Sequence, residues 1–199
     1  MKKILIIGAG AMGSAFSIPC AENNNDVTIM GSVLEDDFIS SIKSNKNLHP
    51  SLNVILPNNI KIEKFEKIIE ITDSDLDLIV VAVSSAGIDW AGDEISKFYK
   101  ANTPIILLTK GLSLIDDQLT TLTEKLEMIL KKNGHKNINI SSVKGPCLAS
   151  GLANKIRTGT VIANKDFLLL MKFPHLLCHL IFHICNIQSE QYSEFFGLL

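Results

Sequence analysis

Three glycines near the amino terminus, Gly8, Gly10 and Gly13, fall in the spacing G-x-G-x-x-G within "GAGAMG". That pattern has the chemistry of a phosphate cradle. The first glycine permits a tight turn and the second lets backbone approach a pyrophosphate. The third lets a helix pack on a sheet, so that the helix's first N–H groups point at the phosphates. With Ala11 and Met12 inside it, the stretch predicts dinucleotide binding if a strand precedes it and a helix follows. The plainer reading is that the glycines serve packing only. Selectivity for NAD usually comes from an acid at the end of the second strand, where this chain has "VTIMGSVLE". Gly31 and Ser32 stand where the acid would fall and Glu35 comes slightly late, so no acid is expected there to repel a 2′-phosphate. No arginine is near to hold one either, and the cofactor is left as NAD or NADP.

Two further stretches carry chemistry. Lys110, in "LLTKG", places an ammonium beside a glycine, where it could bind phosphate or polarise a carbonyl oxygen; its plain reading is a solvated surface lysine. "KGPCLASGLA" can aim backbone N–H groups and small side chains at a ligand, although Gly-Pro is also ordinary turn chemistry. Cys147 has no histidine near it in sequence, which favours a packed or ligand-lining thiol over a nucleophile. His175, His179 and His183 recur every four residues and would share one helical face, a metal-ligand spacing. Pro174 and the β-branched end of that segment break such a helix, so an exposed face or a domain seam is favoured and no metal site is assigned.

These residues need strands and helices to hold them. "KKILIIG" is a short continuous apolar run ended by glycine, as in a strand buried on both faces of a parallel sheet. A helix is predicted over Ala11–Glu22, a turn at "NNND", and a second strand at "DVTIMG". "LDLIVVAVSS", "TPIILLTKG" and "NINISSVKGP" repeat the strand pattern. "AGIDWAGDEISKFYK" and "LIDDQLTTLTEKLEMILKKNG" suit the helices between them, the latter stopping at Gly134. The alternation predicts an α/β fold, a Rossmann-type doubly wound, mostly parallel sheet. A polar, proline-containing insertion, "SNKNLHPSLNVILPNNIKIEKF", interrupts it with one short strand, "IKIE". Near the end, "DFLLLMKFPHLLCHL" suggests a helix with a proline interruption, "IFHICNI" a last strand, and "SEQYSEFFGLL" the first turns of another helix.

The chain has 199 residues, enough for a substantial core, and its charge is balanced at Lys+Arg 19 against Asp+Glu 21. Nothing in that balance favours nucleic acid or an acidic membrane, so a small-molecule partner is expected. Cys20, Cys147, Cys178 and Cys185 follow no C-x-x-C pattern, which fits thiols in a reducing, cytoplasmic setting. The apolar stretches carry glycines, or Lys172, Pro174 and histidines, so neither a signal peptide nor a membrane span is expected.

In order and spacing, "GAGAMGSA", "HPSLNVILPNNI", "VVAVSS", "LLTKGL" and "GPCLASGLANKIRTGT" resemble the NAD(P)-dependent sn-glycerol-3-phosphate dehydrogenases from residue 2 to about 164. The resemblance implies an oxidoreductase that passes hydride between a nicotinamide and C2 of dihydroxyacetone phosphate, giving sn-glycerol 3-phosphate, a glycerophospholipid precursor. It implies that the Gly8–Gly13 loop, with Ala11 and Met12, holds the dinucleotide. Lys110 would contact cofactor and substrate, Gly145 and Cys147 the substrate, and Ala149 the cofactor. Two positions depart from the pattern: Cys147 stands where Ser or Thr is common, and Gly151 where an acid is common. The family continues into a helical domain with a proton-donor lysine in a Gly-x-x-Lys-Asn-like context. Residues 1–188 are accordingly expected to be the dinucleotide domain and 189–199 the start of that helical domain, with the catalytic lysine not in this sequence. A stand-alone dinucleotide-binding module or sensor without turnover is the alternative. Apolar side chains in "YSEFFGLL" would want cover, which leaves a homo-oligomer open.

Overall fold

The computed structural model describes residues 1–165 and 182–188. The first apolar run forms β1 (Lys3–Ile7), and α1 (Ala11–Glu22) follows with the bounds expected. Ile4 and Ile6 of β1 face one core while Leu5 and Ile7 face the other. Burial on both faces is why the run is continuously apolar instead of alternating. Asn24 adopts φ 56° in the turn before β2 (Asp26–Met30), which lies parallel beside β1.

Next comes α2 (Asp36–Ser44), which buries only Ile39 and Ile42 and which no sequence signal above anticipates. The insertion then supplies a small hairpin, β3 (Leu48–His49) with β4 (Val54–Ile55), and the expected "IKIE" strand as β5 (Ile60–Glu63), parallel to β2. A short α3 (Ile68–Thr72) precedes β6 (Leu78–Val81), which pairs with β1 on the side away from β2. After β6 come α4 (Ile88–Ser96) and β7 (Pro104–Leu107), the latter parallel to β6.

One expected helix is shorter than its periodicity suggests. Residues 114–121 do not belong to it: β8 (Leu112–Ile115) and β9 (Gln118–Thr121) form a separate antiparallel hairpin, and α5 (Leu122–Lys132) starts only afterwards. Asp116 and Asp117 take φ of 48° and 60°, the left-handed pair of a two-residue type I′ turn, which short polar side chains tolerate. Thr121 and Glu124 then close a reciprocal capping box that fixes the true start of α5. Its end holds at Gly134, where φ is 88°.

β10 (Asn139–Lys144) is parallel to β7, α6 (Ala149–Ala153) follows, and β11 (Thr158–Asn164) returns antiparallel to β10. β12 (Phe182–Gln188), the strand expected near "IFHICNI", lies parallel to β11. The eight-stranded sheet has the order β12-β11-β10-β7-β6-β1-β2-β5, mostly parallel, with β11 and β12 reversed. Phe16, Ile18, Val80, Ile106 and Val143 fill the core on the α1 and α6 face; Ile88, Ile95, Leu126 and Leu130 fill that on the α4 and α5 face. The helices expected over "DFLLLMKFPHLLCHL" and "SEQYSEFFGLL" lie outside the described residues. Among the described residues no helix is long and apolar enough to cross a membrane.

Candidate dinucleotide and substrate site

The chain leaves β1 for β2 on one side of the sheet and reaches β6 on the other, so the sheet has a switch point between β1 and β6. At such a point the loops after neighbouring strands diverge and leave a crevice at the carboxyl ends. The loops that bear the chemistry leave β1, β6, β7 and β10, which are consecutive neighbours in the sheet.

In the turn after β1, two glycines are required by the fold itself. Gly8 has φ 110°, and a Cβ on Gly13 would lie 2.2 Å from the Gly8 carbonyl oxygen. Gly10 differs: it is extended (φ −61°, ψ 175°) and a Cβ there would meet nothing within 4 Å. Packing does not account for Gly10, whereas the close approach of a ligand does. α1 begins at this point with no side-chain cap on Gly10 and no acid in its first turn. The N–H groups at the Ala11–Met12–Gly13 end therefore face the crevice without a competing anion of their own helix, and the residues present fit a pyrophosphate.

The peptide on the other side of Gly10 is pinned at both ends. The Ala9 N–H donates to Glu35 Oε1 (3.1 Å), and the Ser32 N–H donates to Glu35 Oε2 (2.7 Å). The Ala9 carbonyl accepts from Ser14 Oγ (2.9 Å) and from His49 Nε2 (3.1 Å). Because Leu52 N–H donates to His49 Nδ1 (3.2 Å), Nε2 is the ring nitrogen that carries the proton, and the imidazole is neutral. Burial pushes the pKa of His49 below its ordinary value, against the opposing pull of the Ala9 hydrogen bond and the Glu35 charge. Phe38 packs edge-on against that ring at 5.2 Å. The expectation of no acid at the end of β2 is thus corrected: Glu35 is late in sequence, but the turn before α2 folds its carboxylate back onto the Gly-rich loop.

At the far side of the crevice, Lys110 Nζ donates to the Gly145 carbonyl (2.9 Å), tying the loop after β7 to the loop after β10. Thr109 Oγ1 donates to the Val83 carbonyl (2.6 Å), which ties in the loop after β6. Gly145 has φ 106°, the conformation that requires glycine between β10 and Pro146. Cys147 is 5% exposed and packed in the α1-side core, while Ala149 opens α6 and packs partly buried against the same core. Lys110 and Gly145 are thus in direct contact, whereas Cys147 and Ala149, next along the same loop, pack inward against the core. Sequence reasoning missed Lys144, whose Nζ donates to the Thr109 carbonyl at 3.2 Å. Its signal was available: a lysine ends a strand directly before Gly-Pro, just as Lys110 follows β7. Burial, and then the charge of Lys110, lowers the Lys144 pKa. The three-histidine spacing fares otherwise. His183 falls on strand β12 opposite Gly159, so a helical face does not reach it, and His175 and His179 lie outside the described residues.

Comparison with known proteins decides the family. A family model described as NAD-dependent glycerol-3-phosphate dehydrogenase N-terminus matches residues 3–168. The chain belongs to this family. The NADP(+)-dependent glycerol-3-phosphate dehydrogenase of Archaeoglobus fulgidus is 30% identical over 166 residues, covering 82% of this chain and 47% of that protein. A glycerol-3-phosphate dehydrogenase [NAD(P)+] of Francisella philomiragia is 31% identical over 167 residues, covering 83% and 47%. The chain thus spans about half the length of these curated relatives. Among solved structures, the glycerol-3-phosphate dehydrogenase of Coxiella burnetii superposes with a TM-score of 0.76 at 19% identity, over 94% of this chain and 54% of that one. A putative F420-dependent NADP reductase of an Arthrobacter species has the same fold at a TM-score of 0.67 and 14% identity, over 97% and 89%. At such identities the likeness shows the fold alone, and family membership rests on the matched sequence.

Proposed function

We propose that this chain binds NAD or NADP along the carboxyl ends of β1, β6 and β7 and works in the interconversion of dihydroxyacetone phosphate and sn-glycerol 3-phosphate. The observation that carries the reading is the open space over Gly10 in a turn whose other two glycines the fold requires. When bound, the nicotinamide supplies or takes the hydride. The chain's own residues do the rest. The first turn of α1 presents Ala11, Met12 and Gly13 to the phosphates, and Glu35 and His49 hold the Ala9 peptide so that this turn keeps its shape. In this reading the Lys110 ammonium would supply the cation that a ketone oxygen gaining charge needs, and the loop of Gly145, Cys147 and Ala149 would bound the substrate side; the Lys110 hydrogen bond to the Gly145 carbonyl supports it. Family relatives named as glycerol-3-phosphate dehydrogenases support the substrate assignment.

In the same reading residues 1–188 are the dinucleotide domain, with β12 at the edge of its sheet, and residues 189–199, expected to start a helical substrate domain, lie outside the described residues. A cytoplasmic setting agrees with the buried thiols of Cys20 and Cys147, and the balanced charge agrees with a small-molecule partner rather than nucleic acid. Exposed Leu112, Leu114 and Leu119 on the β8–β9 hairpin are the apolar surface that a homo-oligomer would cover. The test is titration with NADH and NADPH beside turnover of dihydroxyacetone phosphate. Cofactor binding with turnover that Lys110→Ala abolishes supports the enzyme reading and overturns the expectation that the site needs a lysine from the helical domain. Binding without turnover supports either the cofactor half of such a reductase, inactive as this short chain, or a stand-alone dinucleotide-binding module. Failure to bind either cofactor overturns it.

A further inference from the structure

His49 is buried and engaged at both ring nitrogens. Nε2 donates to the Ala9 carbonyl at 3.1 Å, and Nδ1 accepts from the Leu52 N–H at 3.2 Å. Only the neutral imidazole can do both, since an imidazolium has two donors and no acceptor. We propose that His49 is a proton-operated latch on the dinucleotide turn: neutral, it holds the turn in the shape that binds a pyrophosphate, and protonated, it releases the turn and lowers the affinity. The ligand of the latch rests on the proposed function, whereas its mechanics do not.

A proton added at Nδ1 would face the Leu52 N–H, donor against donor at hydrogen-bond distance. Neither side has room to retreat. Leu52 is packed in the α1-side core, and Phe38 lies edge-on against the imidazole at 5.2 Å. The ring or the β3–β4 hairpin must therefore shift, and either movement draws Nε2 from the Ala9 carbonyl. That carbonyl belongs to the planar peptide joining Ala9 to Gly10, so its tilt passes directly to the residue that caps α1. Ser14 Oγ still holds the carbonyl and Glu35 the Ala9 N–H, so release slackens the turn without unfolding it.

Among the described residues, Glu35 is the charge that acts on the ring; it favours the imidazolium, while burial disfavours it and prevails. The other elements around His49 bring little charge to it. α2 packs Phe38 on the ring and leaves Asp36, Asp37 and Lys43 exposed. α1 carries only Cys20 and Glu22, at its far end, and Glu22 pairs with Lys155. On β5, Lys61 pairs with Asp26 and Glu63 with Lys43, and Lys46 before β3 is exposed. An imidazolium would itself attract a pyrophosphate, but the Glu35 carboxylate offsets that charge, so the loss of shape decides the sign.

The test is titration of the purified chain with NADH and NADPH, from about pH 7.5 down to about pH 5, for the wild type and His49→Gln, with folding checked by circular dichroism. The wild type should lose affinity about threefold or more toward acid. His49→Gln takes up no proton there, and should bind more weakly at the neutral end and keep that affinity throughout. The 2′-phosphate of NADPH titrates in this range, so wild type and variant are compared with the same cofactor. Should His49→Gln not fold, His49→Asn is read in its place by the same criteria. Equal profiles in wild type and variant, or an affinity that rises toward acid in the wild type alone, overturn the latch. Amide exchange followed by NMR without cofactor separates the latch from the proposed function: protection of the Ala9 N–H should fall toward acid in the wild type and not in His49→Gln. That loss in a chain that binds neither cofactor upholds the latch and overturns the dinucleotide reading. Cofactor binding with equal profiles and unchanged Ala9 protection does the reverse.

Discussion

Glu35 accepts a hydrogen bond from the main-chain N–H of Ala9 at 3.1 Å, joining the end of β2 to the middle of the Gly-rich turn. The same carboxylate takes the Ser32 N–H at 2.7 Å, so its charge is held in place beside the crevice. A 2′-phosphate on the adenosine ribose would meet that charge, whereas a free hydroxyl could donate to it. Glu35→Gln keeps one acceptor oxygen and removes the charge. The expected outcome is that the preference for NADH over NADPH falls by about tenfold, roughly 1.4 kcal/mol. Fluorescence titration with both cofactors on both proteins checks it; an unchanged ratio would show that Glu35 only braces the loop.

The three glycines of the turn are not equivalent, and alanine separates them. Gly13→Ala puts a methyl 2.2 Å from the Gly8 carbonyl oxygen and 2.9 Å from Ala82 Cβ, neither of which can retreat without moving backbone. It should destabilise the fold by about 2 kcal/mol or more, as overpacking does. Gly10→Ala meets open space at an ordinary φ and should change stability by less than about 0.5 kcal/mol. Yet it should weaken NADH binding by about tenfold or more, because the methyl fills the space a pyrophosphate needs. Urea unfolding and cofactor titration on the two variants read the contrast directly.

His49 makes the cradle sensitive to acid. Burial holds its pKa below the ordinary 6.5, so between the folded value and 6.5 the unfolded chain binds more protons than the folded one. Stability should therefore fall as pH drops below about 6.5 and level off beneath the folded pKa. Protonation puts a hydrogen on Nδ1, which now accepts from Leu52 N–H, so one of the two loop contacts is lost. His49→Gln should flatten this part of the profile, measured as unfolding free energy against pH. A slope that persists would assign it to other groups.

The β8–β9 turn carries relievable strain. Asp117 sits at φ 60° with Asp116 at 48°, and glycine adopts that conformation at less cost. Asp117→Gly should stabilise the chain by ~0.5 kcal/mol, the relief of left-handed strain less the extra freedom of glycine in the unfolded state. Thermal unfolding checks it. A lower melting temperature would mean that the Asp117 side chain contributes more to the turn than its backbone costs.

Much of the fold follows from short-range chemistry that can be read along the chain. β1, β6 and β7 are predominantly apolar runs because a parallel sheet buries both faces of its inner strands, and α1 is bounded by a glycine turn before it and an Asn-rich turn after it. The Gly-rich motif is legible for the same reason, since its three glycines serve one local turn. The helix from Leu114 misreads because apolar residues at 114, 115, 119 and 122 suit a helix as well as a hairpin, and the choice lies with the left-handed Asp pair and the Thr121–Glu124 box.

What could not be read along the chain is which distant residues meet. Glu35 reaches Ala9, His49 reaches the same peptide from the insertion, and Lys144 reaches Thr109 only because β10 is laid beside β7. Apolar pattern tells a strand that it must be buried, but it does not tell it which neighbour to take, since any strand of similar length offers the same backbone hydrogen bonds. That choice is made by the packing of all the helices and strands at once. Residue types and local turns therefore establish the Gly-rich turn between β1 and α1, while the folding of the chain around the sheet brings the Glu35 carboxylate to it and lays Lys144 against Thr109.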